Sequence, residues 1–177
     1  LGDVYKRQQE GVRIVELNLS CPNVARGGMA VGTNPELVAR YVRHTKDALG
    51  TTAVIAKLTP NVADITVLAI AAEQAGADAI TAINTVVGMD IDVARARPVF
   101  DRVRAGLSGP AIMPIALEAV WRVTGAVDIP VLASGGISSV DDAIKFFMAG
   151  AGAVQVGTSV FYDPSLPERI VGWLEEH

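Results

Sequence analysis

Apolar and amphipathic runs alternate along the chain, and their order is strand, helix, strand, helix. Val12–Ser20 is an apolar run that predicts a strand. Cys21–Thr33 is a Gly-rich loop. Asn34 then offers an N-cap, with Pro35 at the first helical position and Glu36 in the first turn. That helix runs to about Leu49, where Gly50 stops it. Ala53–Leu58 reads as a short strand carrying Lys57 near its end, Ala63–Ala75 as an apolar helix stopped by Gly76, and Ala79–Ile83 as a strand ending at Asn84-Thr85.

A long loop, Val86–Pro110, comes next, and its length alone points to function. Ile112–Val123 reads as a helix, Pro130–Ala133 as a strand ending in Ser134-Gly135-Gly136, and Ser139–Ala149 as a helix. Ser138 or Ser139 caps that helix, with Asp141 and Asp142 near its positive end. Ala153–Val156 is a strand ending in Gly157-Thr158-Ser159, and Pro164–Glu176 a final helix. Ala75-Gly76-Ala77-Asp78 and Ala149-Gly150-Ala151-Gly152 echo each other as helix-to-strand junctions.

The fold class this predicts is α/β. About five strand–helix units are visible, against the eight strands and roughly 250 residues of a TIM (β/α)8 barrel. The expectation is an incomplete barrel holding the last five units. An open flavodoxin-like sheet has the right strand count but leaves the strand-end glycine pairs unexplained. Residues 1–8 are polar and unpatterned and read as a non-native leader, with 9–177 as part of one domain.

The chain has 177 residues, half of them hydrophobic, which is enough to bury a real core. Its net charge of −4 and the lack of a basic stripe argue against nucleic acid. No apolar stretch approaches the ~20 residues of a membrane span. A single cysteine rules out an internal disulfide and fits a reducing cytoplasm. His44 and His177 have no metal-type partners at ligand spacing, so no metal is expected. Arg95, Arg97, Arg102 and Arg104 read as a solvated face, and Trp121 and Trp173 as packing residues.

The candidate chemistry sits at strand ends. Cys21 lies between two carboxamides, Asn18 and Asn23. A thiol there can take a proton and the amides can hold a planar polar ligand; the alternative is a small buried hydrophobe. Lys57 is a cation for an anionic or electron-rich cofactor, or else a rim ion pair. Asn84 and Thr85 add a carboxamide and a hydroxyl, or simply make a turn. Gly106–Gly109 before a helix, Gly135-Gly136 after one strand and Gly157-Thr158 after the next together resemble a phosphate clamp of main-chain N–H groups.

Read in order, Glu16-Leu17-Asn18-Leu19-Ser20-Cys21-Pro22-Asn23, Asn84-Thr85-Val86-Val87-Gly88-Met89, Gly106-Leu107-Ser108-Gly109-Pro110-Ala111, Ala133-Ser134-Gly135-Gly136-Ile137 and Val156-Gly157-Thr158 resemble class 1 dihydroorotate dehydrogenases, class 1B above all. Cysteine at position 21 points to class 1, and Gly27-Gly28-Met29 to class 1B. The resemblance implies a TIM barrel that holds FMN and oxidises dihydroorotate to orotate in pyrimidine (UMP) biosynthesis. It implies Cys21 as the base for the C5 proton while a hydride leaves C6 for the flavin. It implies Asn18, Asn23, Asn84 and Thr85 at the substrate, with Asn18, Lys57, Ile83, Gly109, Gly135, Gly136, Gly157 and Thr158 at FMN. It further implies a homodimer or heterotetramer with a partner subunit that carries FAD and an iron–sulfur cluster and passes electrons to NAD.

Four features depart from the family pattern: the early strands with their substrate lysine are missing, Met113 stands where a basic residue is usual, Ala105 where glycine is usual, and the C-terminus is short. The expectation is that the enzyme is the parent gene product and that this length of chain alone has little or no activity. A dihydropyrimidine dehydrogenase-type reductase shares a related motif but has histidine where Asn23 stands. A non-redox barrel isomerase or lyase that binds a phosphorylated metabolite is the alternative from another class.

Overall fold

A computed structural model describes residues 11–19 and 31–177. The expected leader, Cys21, Asn23 and the Gly27-Gly28-Met29 loop lie outside the described residues.

Five parallel strands form the main sheet: β1 (Ile14–Asn18), β2 (Ala53–Leu58), β3 (Ala79–Ala82), β8 (Val131–Ser134) and β9 (Ala153–Gln155). Their order in space follows their order in the chain. A doubly wound sheet would reverse strand order at a switch point; this sheet does not, which removes the flavodoxin-like alternative. Helices α1 (Pro35–Leu49), α2 (Ile65–Gln74), α3 (Met113–Thr124), α4 (Val140–Met148) and α5 (Leu166–Glu176) complete the units, and each consecutive pair of helices is in contact.

The core lies between sheet and helices. In β2 burial alternates, so Val54, Ala56 and Leu58 meet the helical layer while Ile55 and Lys57 face the other way. Val38 and Val42 of α1, Leu68 and Ala72 of α2, Val120 of α3 and Phe146 of α4 fill the opposing side. Alanine at positions 56, 69, 72, 82, 116, 119 and 133 keeps this contact close.

The inner face of the sheet shows how it curves. Adjacent strands lie about 4.8 Å apart, so the edges of a flat five-stranded sheet are about 19 Å apart. Yet Gln155 on β9 donates to Glu16 on β1 at 2.7 Å. Two side chains cannot bridge a flat sheet of that width, so the strands curl into an arc, as a barrel requires.

The two echoing junctions have one geometry. Ala77 N–H donates to the Ala72 carbonyl and Gly76 N–H to that of Glu73, while Ala151 and Gly150 repeat the pattern onto Phe146 and Phe147. This is a Schellman ending, with both glycines at positive φ (94° and 95°). The next N–H then enters the sheet by bonding the preceding strand, Asp78 to Val54 and Gly152 to Val131.

Several boundaries differ from expectation. Asp64 caps α2 by accepting from Thr66, so the helix begins at Ile65 rather than Ala63. Residues 158–161 form a 3-10 turn before α5, and Pro110–Ile112 another before α3. The long loop is not structureless: β4 (Val86–Gly88) pairs with β7 (Ala105–Leu107), and β5 (Ile91–Asp92) with β6 (Arg97–Pro98), both antiparallel. The four arginines of this excursion are exposed, as a solvated face requires. Trp121 corrects the packing expectation, since it is 66% exposed on α3. Trp173 is half-buried and stacks on His177, with ring centroids 4.7 Å apart. No described helix is long and apolar enough to cross a membrane.

The Asn34 carboxamide accepts from the N–H groups of Glu36 and Leu37 at 2.9 and 3.2 Å. Asn34→Ala is expected to lower unfolding free energy by about 1 kcal/mol, measured by urea denaturation; an unchanged midpoint would mean that the cap contributes nothing.

Candidate active site

Parallel strands place all their C-terminal ends on one rim, and the polar residues at these ends gather around a cleft of about 160 Å³. Lys57 comes from β2, Ile83, Asn84 and Thr85 from the end of β3, and Gln155 from β9. Gly109, Gly135, Gly136, Gly157 and Thr158 line the same cleft. Asn18 joins at the end of β1, where its Oδ1 accepts from Asn84 Nδ2 at 3.0 Å. The structure therefore brings together every expected site residue that it describes.

One side of the cleft is an amide corner. Asn84 turns its own carboxamide oxygen onto the Thr85 N–H at 2.8 Å. Asn61, which the sequence reading did not single out, fixes this corner from the β2–α2 connection. Its amide donates to the Thr85 carbonyl at 3.0 Å and to Thr59 Oγ1 at 2.9 Å, and its oxygen accepts from the Val87 N–H at 2.8 Å. Gly106 passes so close to Thr85 that a Cβ there would fall 2.3 Å from Thr85 Oγ1.

The floor is ionic. Lys57 lines the cleft and is ion-paired, its Nζ lying 3.3 Å from Glu16 Oε1, as the rim ion-pair alternative has it. Glu16 Oε2 accepts from Thr81 Oγ1 and from Gln155 Nε2, each at 2.7 Å. Burial raises the Glu16 carboxyl, but hydrogen bonds from Gln155 and Thr81 and the charge and hydrogen bond of Lys57 outweigh it and hold it below the usual carboxylate range. Glu16, Thr81 and Gln155 were not among the expected site residues. Their signal was a polar side chain inside a short apolar strand.

The opposite end is made of backbone. A Cβ on Gly136 would lie 2.6 Å from the Met113 main chain, so only glycine lets the β8 end pass there. A Cβ on Gly157 would meet nothing within 4 Å and would project into open space. Thr158 Oγ1 donates to Ser108 Oγ at 2.9 Å, closing the cradle over Gly109. The Pro110–Ile112 turn and α3 begin without a side-chain cap. Main-chain N–H groups, helix starts and hydroxyls form a donor-rich surface suited to an anion.

A family model described as dihydroorotate dehydrogenase matches residues 3–177. The chain is 49% identical over 167 residues to the dihydroorotate dehydrogenase B (NAD(+)) catalytic subunit of Citrifermentans bemidjiense, covering 94% of this chain and 54% of that protein. The protein of the same name from Porphyromonas gingivalis is 48% identical over 168 residues, covering 95% of this chain and 54% of that protein. The chain thus spans about half the length of the curated relatives it matches. A crystal structure of DHODH from Eimeria tenella in complex with ferulenol superposes with a TM-score of 0.78 at 22% identity, over 97% of this chain and 52% of that one. At that identity it speaks for the fold alone, and the fold agrees with a partial barrel.

Asn61→Ala is expected to cost about 1–3 kcal/mol of stability and to speed amide exchange at Val87; unchanged exchange would mean that Asn61 does not hold the corner. The Glu16 carboxyl is depressed in the folded state. Its contribution to stability is therefore full above its unfolded value and lost as pH falls through the folded one. Glu16→Gln is expected to flatten the acid limb of the stability–pH curve below about pH 4.3, and an unaltered limb would contradict the pairing.

Proposed function

This chain belongs to the dihydroorotate dehydrogenase family, and on that footing we propose that the full-length polypeptide carrying it binds FMN and oxidises dihydroorotate to orotate in pyrimidine biosynthesis. The observation that supports this most directly is the single cleft in which an amide corner, a cation and a main-chain anion cradle meet.

The residues fit FMN at both ends. The cradle of Gly109, Gly135, Gly136, Gly157 and Thr158 suits a ribityl phosphate, and the space that a Gly157 side chain would fill is left open. Lys57 and the Ile83 main chain would border the flavin ring. Bound FMN would supply the redox chemistry as acceptor of the hydride from substrate C6.

The other roles belong to side chains of the chain itself. Asn18, Asn23, Asn84 and Thr85 would orient the substrate through paired donors and acceptors, with Asn18 reaching FMN as well. Cys21 would take the C5 proton on sulfur. A thiol with an ordinary pKa of about 8.5 is a minority thiolate at neutral pH, which suits a base that must also release its proton. That the relatives are called catalytic subunits supports a partner subunit. The FAD and the iron–sulfur cluster that lead electrons to NAD would lie on that partner, in a cytoplasmic assembly; the one cysteine of these 177 residues cannot ligate a cluster.

Purified full-length polypeptide is expected to be yellow, with a flavin absorbance band, and to convert dihydroorotate to orotate. Cys21→Ala is expected to keep the flavin and lose about 10²–10⁴-fold in turnover. A colourless preparation would support the phosphate-binding isomerase or lyase instead. Turnover of uracil in preference to dihydroorotate would support the pyrimidine reductase.

A further inference from the structure

Lys57 is the one ionisable side chain among the described residues that line the cleft, and it is held from behind. Its ammonium lies 3.3 Å from Glu16 Oε1 and 3.2 Å from Gln155 Oε1. Gln155 gives its amide nitrogen to Glu16 Oε2, which turns its oxygen toward Lys57. Lys57, Glu16 and Gln155 therefore close a ring, and Thr81, fully buried on β3, fixes the carboxylate from two strands away. An ammonium has three donors; two are directed into this ring from the cleft wall. The hydrogen bonds that hold the carboxyl below its usual range keep Glu16 ionised at neutral pH. A full negative charge thus stands one ion-pair distance behind the cation that faces the ligand.

Two-electron reduction of a flavin at neutral pH leaves negative charge on its ring. A cation at the wall favours that state, and a carboxylate behind the cation offsets it. We propose that Glu16 holds the Lys57 ammonium at the cleft wall and offsets its charge, so that bound flavin keeps a lower reduction potential than a lone lysine would set. The inference rests on the FMN reading above. Its chemical use is onward transfer. Electrons that enter as the hydride from substrate C6 must leave again to an acceptor, and a nicotinamide dinucleotide, as in the name of the relatives, is a low-potential one. Reduced flavin that is stabilised too strongly would retain them.

The test is the midpoint potential of the flavin in the full-length, flavin-loaded polypeptide, measured by dye equilibration beside the melting temperature. Glu16→Gln is expected to favour the reduced flavin by about tenfold, a shift of about 30 mV to more positive potential for a two-electron couple. Lys57→Met is expected to shift it by a similar factor in the opposite sense. The double variant, which removes both charges, is expected to return to within about threefold of the parent, because two opposed shifts of like size cancel when cation and carboxylate go together. If Glu16→Gln does not fold, the double variant still decides. A lowered melting temperature with an unmoved potential would make Glu16 a structural strut only and overturn the proposal, as would a double variant that matches Lys57→Met alone. A colourless parent would overturn the FMN reading and this inference with it; a yellow parent with unmoved potentials would overturn this inference alone.

Discussion

The curl of the parallel sheet is the constraint on which the rest depends. Strands laid flat would carry their end residues outward along a line, too far apart to meet one small molecule. Curled into an arc, β1 and β9 bring Glu16 and Gln155 into direct contact across three intervening strands. The helices hold the arc from outside through a layer rich in alanine and valine. The polar chord from Glu16 ties it from inside. A partly exposed ion pair usually contributes little by itself; here every oxygen of the carboxylate has a partner, and the partners come from three other strands.

The same curvature separates the site into three chemically different parts. Amides gather at the ends of β1 and β3, the cation sits on β2, and bare backbone faces inward at the ends of β8 and β9. A ligand with a polar planar portion and an anionic end matches that sequence of environments in one orientation only. Orientation is what such a site contributes when the reactive group is carried by a cofactor.

Much of this was legible in the sequence where the cause is local. Asn34-Pro35-Glu36 and Gly50 bound α1 where expected, because caps are read within a turn of the helix. Gly76 and Gly150 announce identical junctions for the same reason. The start of α2 was misplaced because an apolar run from Ala63 hides the Asp64 cap inside it. The short pairs β4–β7 and β5–β6 escaped because strands of two or three residues have no periodicity to detect. Glu16, Thr81, Gln155 and Asn61 escaped for a different reason. The partners of Glu16 lie 65 and 139 residues away in the chain, so only the folded sheet pairs them. Trp121 shows the limit of composition, since a large aromatic on a helix was expected inside and faces outward.

The excursion between β3 and α3 is fastened at its base, where Asn61 bonds Thr85 and Val87 and Gly106 presses on Thr85, and it is exposed toward its turn, where Val93 is almost bare. A branch clamped at the root and solvent-covered at the tip makes few contacts through which its far end could disturb the site. The barrel can therefore exchange, lengthen or redecorate that tip through evolution while the amide corner keeps its shape, which makes the outer ribbon the part of this architecture most open to new surfaces.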